Sequence, residues 1–135
     1  MKIIDGGRNE KKTINLSLIL FVMIVLVHGG YVWANKSTTS SAVPESIPKG
    51  SEITIRVTVT HNANNFLHYT KWLQIMVNGK EIARWDYTMG NRPEGATFAK
   101  EIKYNVDGDI EIKAEASCNI HGSEGPATAK VLAKE

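Results

Sequence analysis

The 135-residue chain is long enough for one domain, and 42% of its residues are hydrophobic, which is enough for a folded core. Of its 16 Lys/Arg and 14 Asp/Glu residues, four and two respectively lie in residues 1–34, so the remainder carries twelve of each. A neutral remainder without a basic run argues against nucleic acid as a partner and against binding to anionic lipid.

Residues 1–34 have the three parts of a secretory signal: a basic start, an apolar run over residues 14–27, and the end Val32-Trp33-Ala34, where a signal peptidase would cut. The alternative is an uncleaved anchor, because the 21 positions of residues 14–34 are just long enough to cross a bilayer as a helix. We expect cleavage after Ala34, which makes the protein soluble and periplasmic. Without cleavage, residues 14–34 would tether it to the inner membrane, again outside the cytoplasm.

Residues 35–49 (NKSTTSSAVPESIPK) are rich in Ser, Thr and Pro and contain almost nothing to bury. This composition is typical of a flexible linker. The chain is therefore expected to have three parts, which are a signal or anchor over residues 1–34, a linker over 35–49 and a folded domain over 50–135.

The folded part has the pattern of a series of short strands. Residues 53–59 alternate Ile or Val with polar residues, as in a half-buried strand. Asn78-Gly79 separates two such runs and predicts a two-residue hairpin turn, since both positions of that turn need a positive φ. Strands are predicted at about 52–60, 70–77, 80–88, 96–104, 110–118 and 126–132. Because no segment keeps a helical period, the pattern predicts an all-β, immunoglobulin-like antiparallel β-sandwich.

The chain has one cysteine, Cys118, and three histidines beyond the export segment, His61, His68 and His121. All four lie at predicted strand ends or in loops, where a rigid sandwich presents side chains together. The spacing of Cys118 and His121 lets a thiolate and an imidazole reach one ion, and these ligand types suit iron, copper or zinc. Spacing alone leaves an alternative, a cysteine that packs as a small apolar residue and three surface histidines.

Two segments resemble the superoxide reductases, also called desulfoferrodoxins. Cys118-Asn119-Ile120-His121-Gly122 is similar to their C-N-x-H-G segment, and His68-Tyr69-Thr70-Lys71-Trp72 is similar to their H-Y-x-x-W segment. His61 stands where these proteins have another histidine a short loop upstream. The resemblance covers about residues 50–131, which is nearly the whole predicted domain.

The resemblance implies ferrous iron on a β-sandwich, held by equatorial imidazoles and one axial thiolate. Superoxide would bind at an open position, take one electron and leave as hydrogen peroxide after two protons are added. His61, His68 and His121 would be the imidazole ligands, and Cys118 would be the thiolate. The backbone N–H groups of Asn119 and Ile120 would hydrogen-bond the sulfur and tune the potential.

The chain departs from this family at the fourth equatorial histidine, which comes from a Glu-Lys-His-Val-Pro segment. Residues 43–49 (VPESIPK) stand there, and no histidine lies between His28 and His61. Glu45 and Lys49 are only weak counterparts of the glutamate and lysine that gate the open site. Water or a side chain could fill the fourth place, and the candidates are Asn64, Asn65 and Glu124.

Two functions follow from these residues. The first is an iron redox protein that reduces superoxide with electrons from an unknown donor. The second is a non-catalytic β-sandwich subunit that binds a protein partner in a cell-envelope complex. In that second case the three histidines and the cysteine hold a structural zinc or copper ion, or none, because both metals accept such ligand sets.

Overall fold

The structure is a computed structural model, and it describes residues 36–135. The predicted signal or anchor over residues 1–34 therefore lies outside the described residues. Eight strands form the domain: β1 Thr38–Ala42, β2 Ser46–Pro48, β3 Ser51–Thr60, β4 Thr70–Val77, β5 Lys80–Asp86, β6 Thr97–Val106, β7 Ile110–Cys118 and β8 Ala127–Lys134. Residues 36–135 contain no helix that is long and apolar enough to cross a membrane. The all-β prediction is confirmed for this part of the chain.

The strands form two sheets around one hydrophobic core. The three-stranded sheet has the order β1-β3-β6, and the five-stranded sheet has the order β2-β8-β7-β4-β5. Neighbouring strands are antiparallel except β2 and β8, which run parallel. The prediction of a purely antiparallel sandwich is wrong for this pair. The reason is that the chain crosses from β1 in one sheet to the edge of the other sheet, where β2 runs in the same direction as β8.

The linker prediction is wrong for residues 36–49. Thr38–Ala42 pairs with β3, and Ser46–Pro48 pairs with β8, so most of this stretch belongs to the sheets. Its lack of large apolar residues is explained by its place at sheet edges, where little side-chain area is buried. Thr39 shows how a polar residue is accommodated there, because its hydroxyl donates a hydrogen bond to the carbonyl of Ala114 at 2.9 Å.

The predicted turn at Asn78-Gly79 is confirmed. Asn78 has a φ of 48° and Gly79 a φ of 79°, which are the left-handed values that a tight hairpin between two right-twisted strands requires. The pairing of β4 with β5 shifts by one residue between Ile75 and Met76, which marks a β-bulge just before the turn.

Two rows of inward-facing side chains build most of the core. In β3 the row consists of Ile53, Ile55, Val57 and Val59, and in β7 it consists of Ile110, Ile112, Ala114, Ala116 and Cys118. Both rows follow the period of two that alternation in a strand imposes. The β7 row ends at the cysteine, and the β3 row, continued by one step of two, ends at His61, which is also buried.

Candidate metal centre

The predicted site residues lie at one end of the sandwich. His61 directly follows β3 of the three-stranded sheet, whereas Cys118 ends β7 of the five-stranded sheet. His68 lies two residues before β4, and His121 follows Cys118 in the loop that leads towards β8. The side chains of His61 and Cys118 are almost fully buried, and those of His68 and His121 are half-buried. The inner-face rows of the two sheets thus end in candidate ligands that lie close together.

The ring atom Nε2 of His68 is at the centre of this cluster. It lies 3.2 Å from Nε2 of His61, 2.8 Å from Sγ of Cys118 and 3.1 Å from Nδ1 of His121. The ligand atoms of His61, His68 and Cys118 all lie within 4.8 Å of one another. His121 is outside that mutual set and joins the cluster through His68. The structure therefore brings together all four of the predicted ligands.

Hydrogen bonds alone do not account for this crowding. A neutral imidazole nitrogen either donates one proton or accepts one, so Nε2 of His68 cannot satisfy three neighbours at once. Ligand atoms that share an ion, in contrast, all point at a common centre and lie close together. Two imidazoles and a thiolate within 4.8 Å of one another, with a third imidazole beside them, form a donor set that fits a transition metal.

The turn that carries Cys118 also prepares its sulfur for a negative charge. The backbone N–H groups of Ile120 and His121 both donate to Sγ, at 3.3 Å each. The prediction for Ile120 is confirmed, but the prediction for Asn119 is wrong, because the N–H of Asn119 donates to the carbonyl of Tyr69 instead. Gly122 closes the turn with a φ of 78°, a left-handed value that favours glycine.

Asn64 orients the ring of His61. Its Oδ1 accepts a hydrogen bond from the N–H of Thr70 at 2.8 Å and lies 3.1 Å from Nδ1 of His61. An oxygen has no proton to give, so Nδ1 of His61 must be the donor, and the tautomer leaves the lone pair on Nε2. Nδ2 of Asn64 donates to the carbonyl of Gly95 at 2.8 Å, which holds the amide in place. This is the arrangement in which a partner beyond the metal ligand fixes the ligand's tautomer.

Asn119 joins the two loops that carry the ligands. Its Oδ1 accepts a hydrogen bond from the N–H of Tyr69, and its Nδ2 donates to the carbonyl of Leu67, both at 2.9 Å. The loop before β4 is thereby attached to the turn after Cys118. These loops also carry exposed large apolar side chains, namely Phe66, Leu67 and Ile120.

Comparison with known proteins bears on the identity of this fold and site. A sequence model of the desulfoferrodoxin family matches residues 35–123, about two thirds of the chain. The chain belongs to the desulfoferrodoxin family. No curated protein sequence matches it significantly.

Solved structures of this family share the fold. A variant of the superoxide reductase (neelaredoxin) from Ignicoccus hospitalis superposes with a TM-score of 0.61 and 18% identity, over 78% of this chain and 88% of that one. A candidate superoxide reductase from Thermotoga maritima gives a TM-score of 0.51 and 19% identity, over 72% and 86%. Identities this low establish the β-sandwich that the chains share.

Residues 45–49, which in the sequence stand where the family has its fourth histidine segment, lie away from the candidate ligands. Residues 46–48 pair with the end of β8, and Lys49 donates to the carbonyl of Lys134. This pairing places Glu45 and Lys49 at the opposite end of the sandwich from the cluster, so neither is a counterpart of a gating residue. The residue that adjoins the cluster from upstream is Ser37, whose backbone bonds to Gly122 and Glu124. The Ser- and Thr-rich composition of residues 35–49 predicted a linker and did not indicate that Ser37 lies beside the cluster.

The side chains proposed to fill the fourth place have other partners. Asn64 is bonded to His61, Thr70 and Gly95, as described above. Asn65 accepts hydrogen bonds from the N–H groups of Leu67 and His68, which shapes the loop before β4. Glu124 is exposed and accepts a hydrogen bond from the hydroxyl of Thr38 at 2.9 Å. Asn64 thus lies at the site, where its side chain is bonded to the candidate ligand His61.

Proposed function

We propose that this chain is an exported mononuclear non-haem iron protein that reduces superoxide to hydrogen peroxide, with electrons from a donor not yet known. The observation that supports the proposal most directly is the convergence of two imidazole nitrogens, from His61 and His121, and the sulfur of Cys118 on Nε2 of His68. Family membership supports iron as the metal. The pattern of residues 1–34 supports export to the cell envelope.

The ligand types alone do not select one metal, because imidazole and thiolate ligands suit iron, zinc and copper. Family membership is the observation that favours iron. No comparison supports zinc or copper.

In this proposal each residue has a distinct task. His61 and His68 offer Nε2, His121 offers Nδ1, and Cys118 offers its thiolate. The chemistry that ferrous iron supplies when bound is donation of one electron to superoxide, which with two protons from solvent gives hydrogen peroxide. The N–H groups of Ile120 and His121 stabilise negative charge on the sulfur and so restrain how strongly it pushes electrons towards the metal.

Substitution of Cys118 by Ser tests the proposal. The oxidised iron form of the unchanged protein should show a broad visible band from thiolate-to-iron charge transfer. Cys118→Ser should lose that band and should hold less metal, because a hydroxyl is a much poorer charge donor and a weaker ligand than a thiolate. Ser117→Ala is the matched control, since Ser117 is the neighbouring residue in β7 and its side chain points away from the inner face.

The reaction itself is tested by mixing pulse-generated superoxide with the ferrous protein. Oxidation of the iron should be much faster in the unchanged protein and in Ser117→Ala than in Cys118→Ser. If iron binds but all three proteins react equally slowly, the protein is not a superoxide reductase, and the non-catalytic alternative replaces it.

Export has its own test. Mass spectrometry of the protein from its native cells should give an N-terminus at Asn35. An intact Met1 in the membrane fraction would show that residues 14–34 anchor the protein instead.

A further inference from the structure

Ser37 is a buried polar residue that the proposed function leaves unexplained. Its exposed fraction is 0%, and its hydroxyl has no hydrogen-bond partner in residues 36–135. A buried hydroxyl without a partner costs about 1–3 kcal/mol, so most such groups in proteins are satisfied. A ligand bound beside the hydroxyl would remove this cost.

The strand register places Ser37 opposite His61. Thr38 pairs with Thr60 at the end of the antiparallel ladder of β1 and β3, and the same register extended by one step sets Ser37 opposite His61, while Ser37 itself forms a bridge with Ser123. The backbone N–H and C=O of Ser37 bond to Gly122 and Glu124, on the side away from β3. The N–H of His61 bonds to Ala96, on the side away from β1. The N–H groups of Ser37 and His61 thus point away from each other, as they do in a non-hydrogen-bonded pair, the kind whose side chains lie closer together.

Both side chains belong to the inner face of the sheet. His61 continues the inward row of β3, and Ser37 continues the inward row of β1, which includes Thr39. Residues that are directly opposite on one face have Cβ atoms about 4.5–5.5 Å apart. The backbone bond to Gly122 also sets Ser37 beside the turn that carries His121. Ser37 is therefore next to two of the candidate ligands and faces the same interior.

We propose that Ser37 is a residue of the metal centre whose hydroxyl hydrogen-bonds a small ligand, either water or an anion, that the metal holds beside His61. The inference rests on the proposed function, because it needs a metal held by the four ligands. A neutral hydroxyl is a poor ligand itself but a good donor to bound water or to an anion. An imidazole beside His61 would stay bound to the metal, whereas a small ligand held by the hydroxyl of Ser37 can exchange.

Three variants of the full-length protein test this role. Ser37→Ala removes only the hydroxyl and should weaken binding of azide to the oxidised iron form by about five- to tenfold, the value of one hydrogen bond. Ser37→His places an imidazole at the same position and should raise the affinity for cobalt(II), measured against a chelator, by about tenfold or more. Ser40→His is the matched control, because Ser40 lies on the same strand but is exposed on the outer face.

Each outcome decides the question. If the unchanged protein binds metal but the Ser37 variants match it and Ser40→His in both affinities, Ser37 has no role in the centre, and the proposed function stands without it. If the unchanged protein binds neither iron nor cobalt(II), both proposals fall. If Ser37→His does not fold, as judged by its melting curve, the azide affinity of Ser37→Ala decides alone.

Discussion

The two ends of the sandwich use the same amino acid for opposite purposes. At the hairpin end, defined by the Asn78-Gly79 turn and the turn over residues 107–109, Asn78 accepts a hydrogen bond from the N–H of Glu111 at 2.8 Å and donates its own N–H to the carbonyl of that residue at 2.9 Å. At the site end, defined by the four candidate ligands, Asn64 and Asn119 bond to a ligand ring and to neighbouring loops. Asparagine closes a turn at one end and positions candidate metal ligands at the other.

Buried polar groups also divide between the ends. The buried side-chain oxygens without a partner in residues 36–135 belong to Ser37, Thr70 and Tyr87. All three lie at the site end, since Thr70 begins β4 and the N–H of Tyr87 bonds to Lys71 beside it. Groups of this kind destabilise a fold. The comparison indicates that the unpartnered buried oxygens of residues 36–135 are concentrated at the site end, where they lower the stability of the fold.

The largest effect is expected for Asn64→Ala at the site end. The change leaves the buried N–H of Thr70 without its partner and releases the ring of His61. Metal affinity should fall by about 10–100-fold, and the free energy of unfolding should fall by about 1–3 kcal/mol. Chelator competition and thermal melting measure the two quantities. Asn64→Asp is the control and should keep most of the affinity, because it retains the accepting oxygen; equal losses in both variants would contradict the orienting role.

Gly79→Val should act on stability alone, at the hairpin end. The φ of Gly79 is 79°, and a Cβ there would meet no atom within 4 Å, so backbone strain is the only cost. That strain should lower the free energy of unfolding by about 1–3 kcal/mol, with no change in metal content. Gly108→Val is the matched control, because Gly108 has equal space without a positive φ. A neutral result for Gly79→Val in chemical denaturation would mean that the turn is not formed as described.

Asn119→Ala separates the ligand loops and should have a smaller effect, because its hydrogen bonds are exposed. We expect a loss of about 1 kcal/mol in stability and a several-fold weaker metal affinity. Asn119→Asp keeps the bond to Tyr69 but loses the donor to Leu67, so it should fall between the alanine variant and the unchanged protein. Hydrogen exchange of the loop over residues 62–69 measures the loosening directly, and unchanged protection in Asn119→Ala would refute the link.

Tyr87→Phe should give the smallest effect. Burial raises the pKa of the Tyr87 phenol above its usual value of 10.0. A folded-state pKa above the unfolded one contributes stability that is present below pH 10 and is lost as the pH rises through the folded value. Near neutral pH the variant should be more stable by up to about 1 kcal/mol, because it removes a buried hydroxyl that has no partner in residues 36–135, and above pH 10 it should lose less stability than the unchanged protein. A large loss of stability near neutral pH in melting curves would show that the hydroxyl has a partner.

The fold could be predicted from the sequence wherever one face of a strand is buried. β3, β4 and β7 begin or end within a residue of their predicted positions, because alternation of apolar and polar residues marks them. β1 and β2 could not be found in this way. Their residues are mostly Ser and Thr, and they become strands by pairing with partners that lie far away in the sequence.

The site was predictable as far as its ligand types go. His61, His68, Cys118 and His121 stand out as candidate metal ligands in a chain that has a single cysteine, and the structure brings them together. Ser37 and the role of Asn64 were not predictable, because an ordinary serine or asparagine acquires a role only from its neighbours in space. Of the two N–H groups that donate to the sulfur, that of Ile120 was predicted and that of His121 was not. The exact shape of the turn decides which N–H groups point at the sulfur.

The candidate ligands come from two different sheets, and this has a consequence for how the domain holds together. His61 follows the three-stranded sheet, whereas His68 and Cys118 flank strands of the five-stranded sheet. An ion bound there acts as a crosslink between the layers in a domain whose one cysteine is free. At a free metal concentration of 100 times its dissociation constant, it would add about 2.7 kcal/mol to the stability of the folded state. The melting temperature of this domain should therefore rise with the concentration of free metal around it.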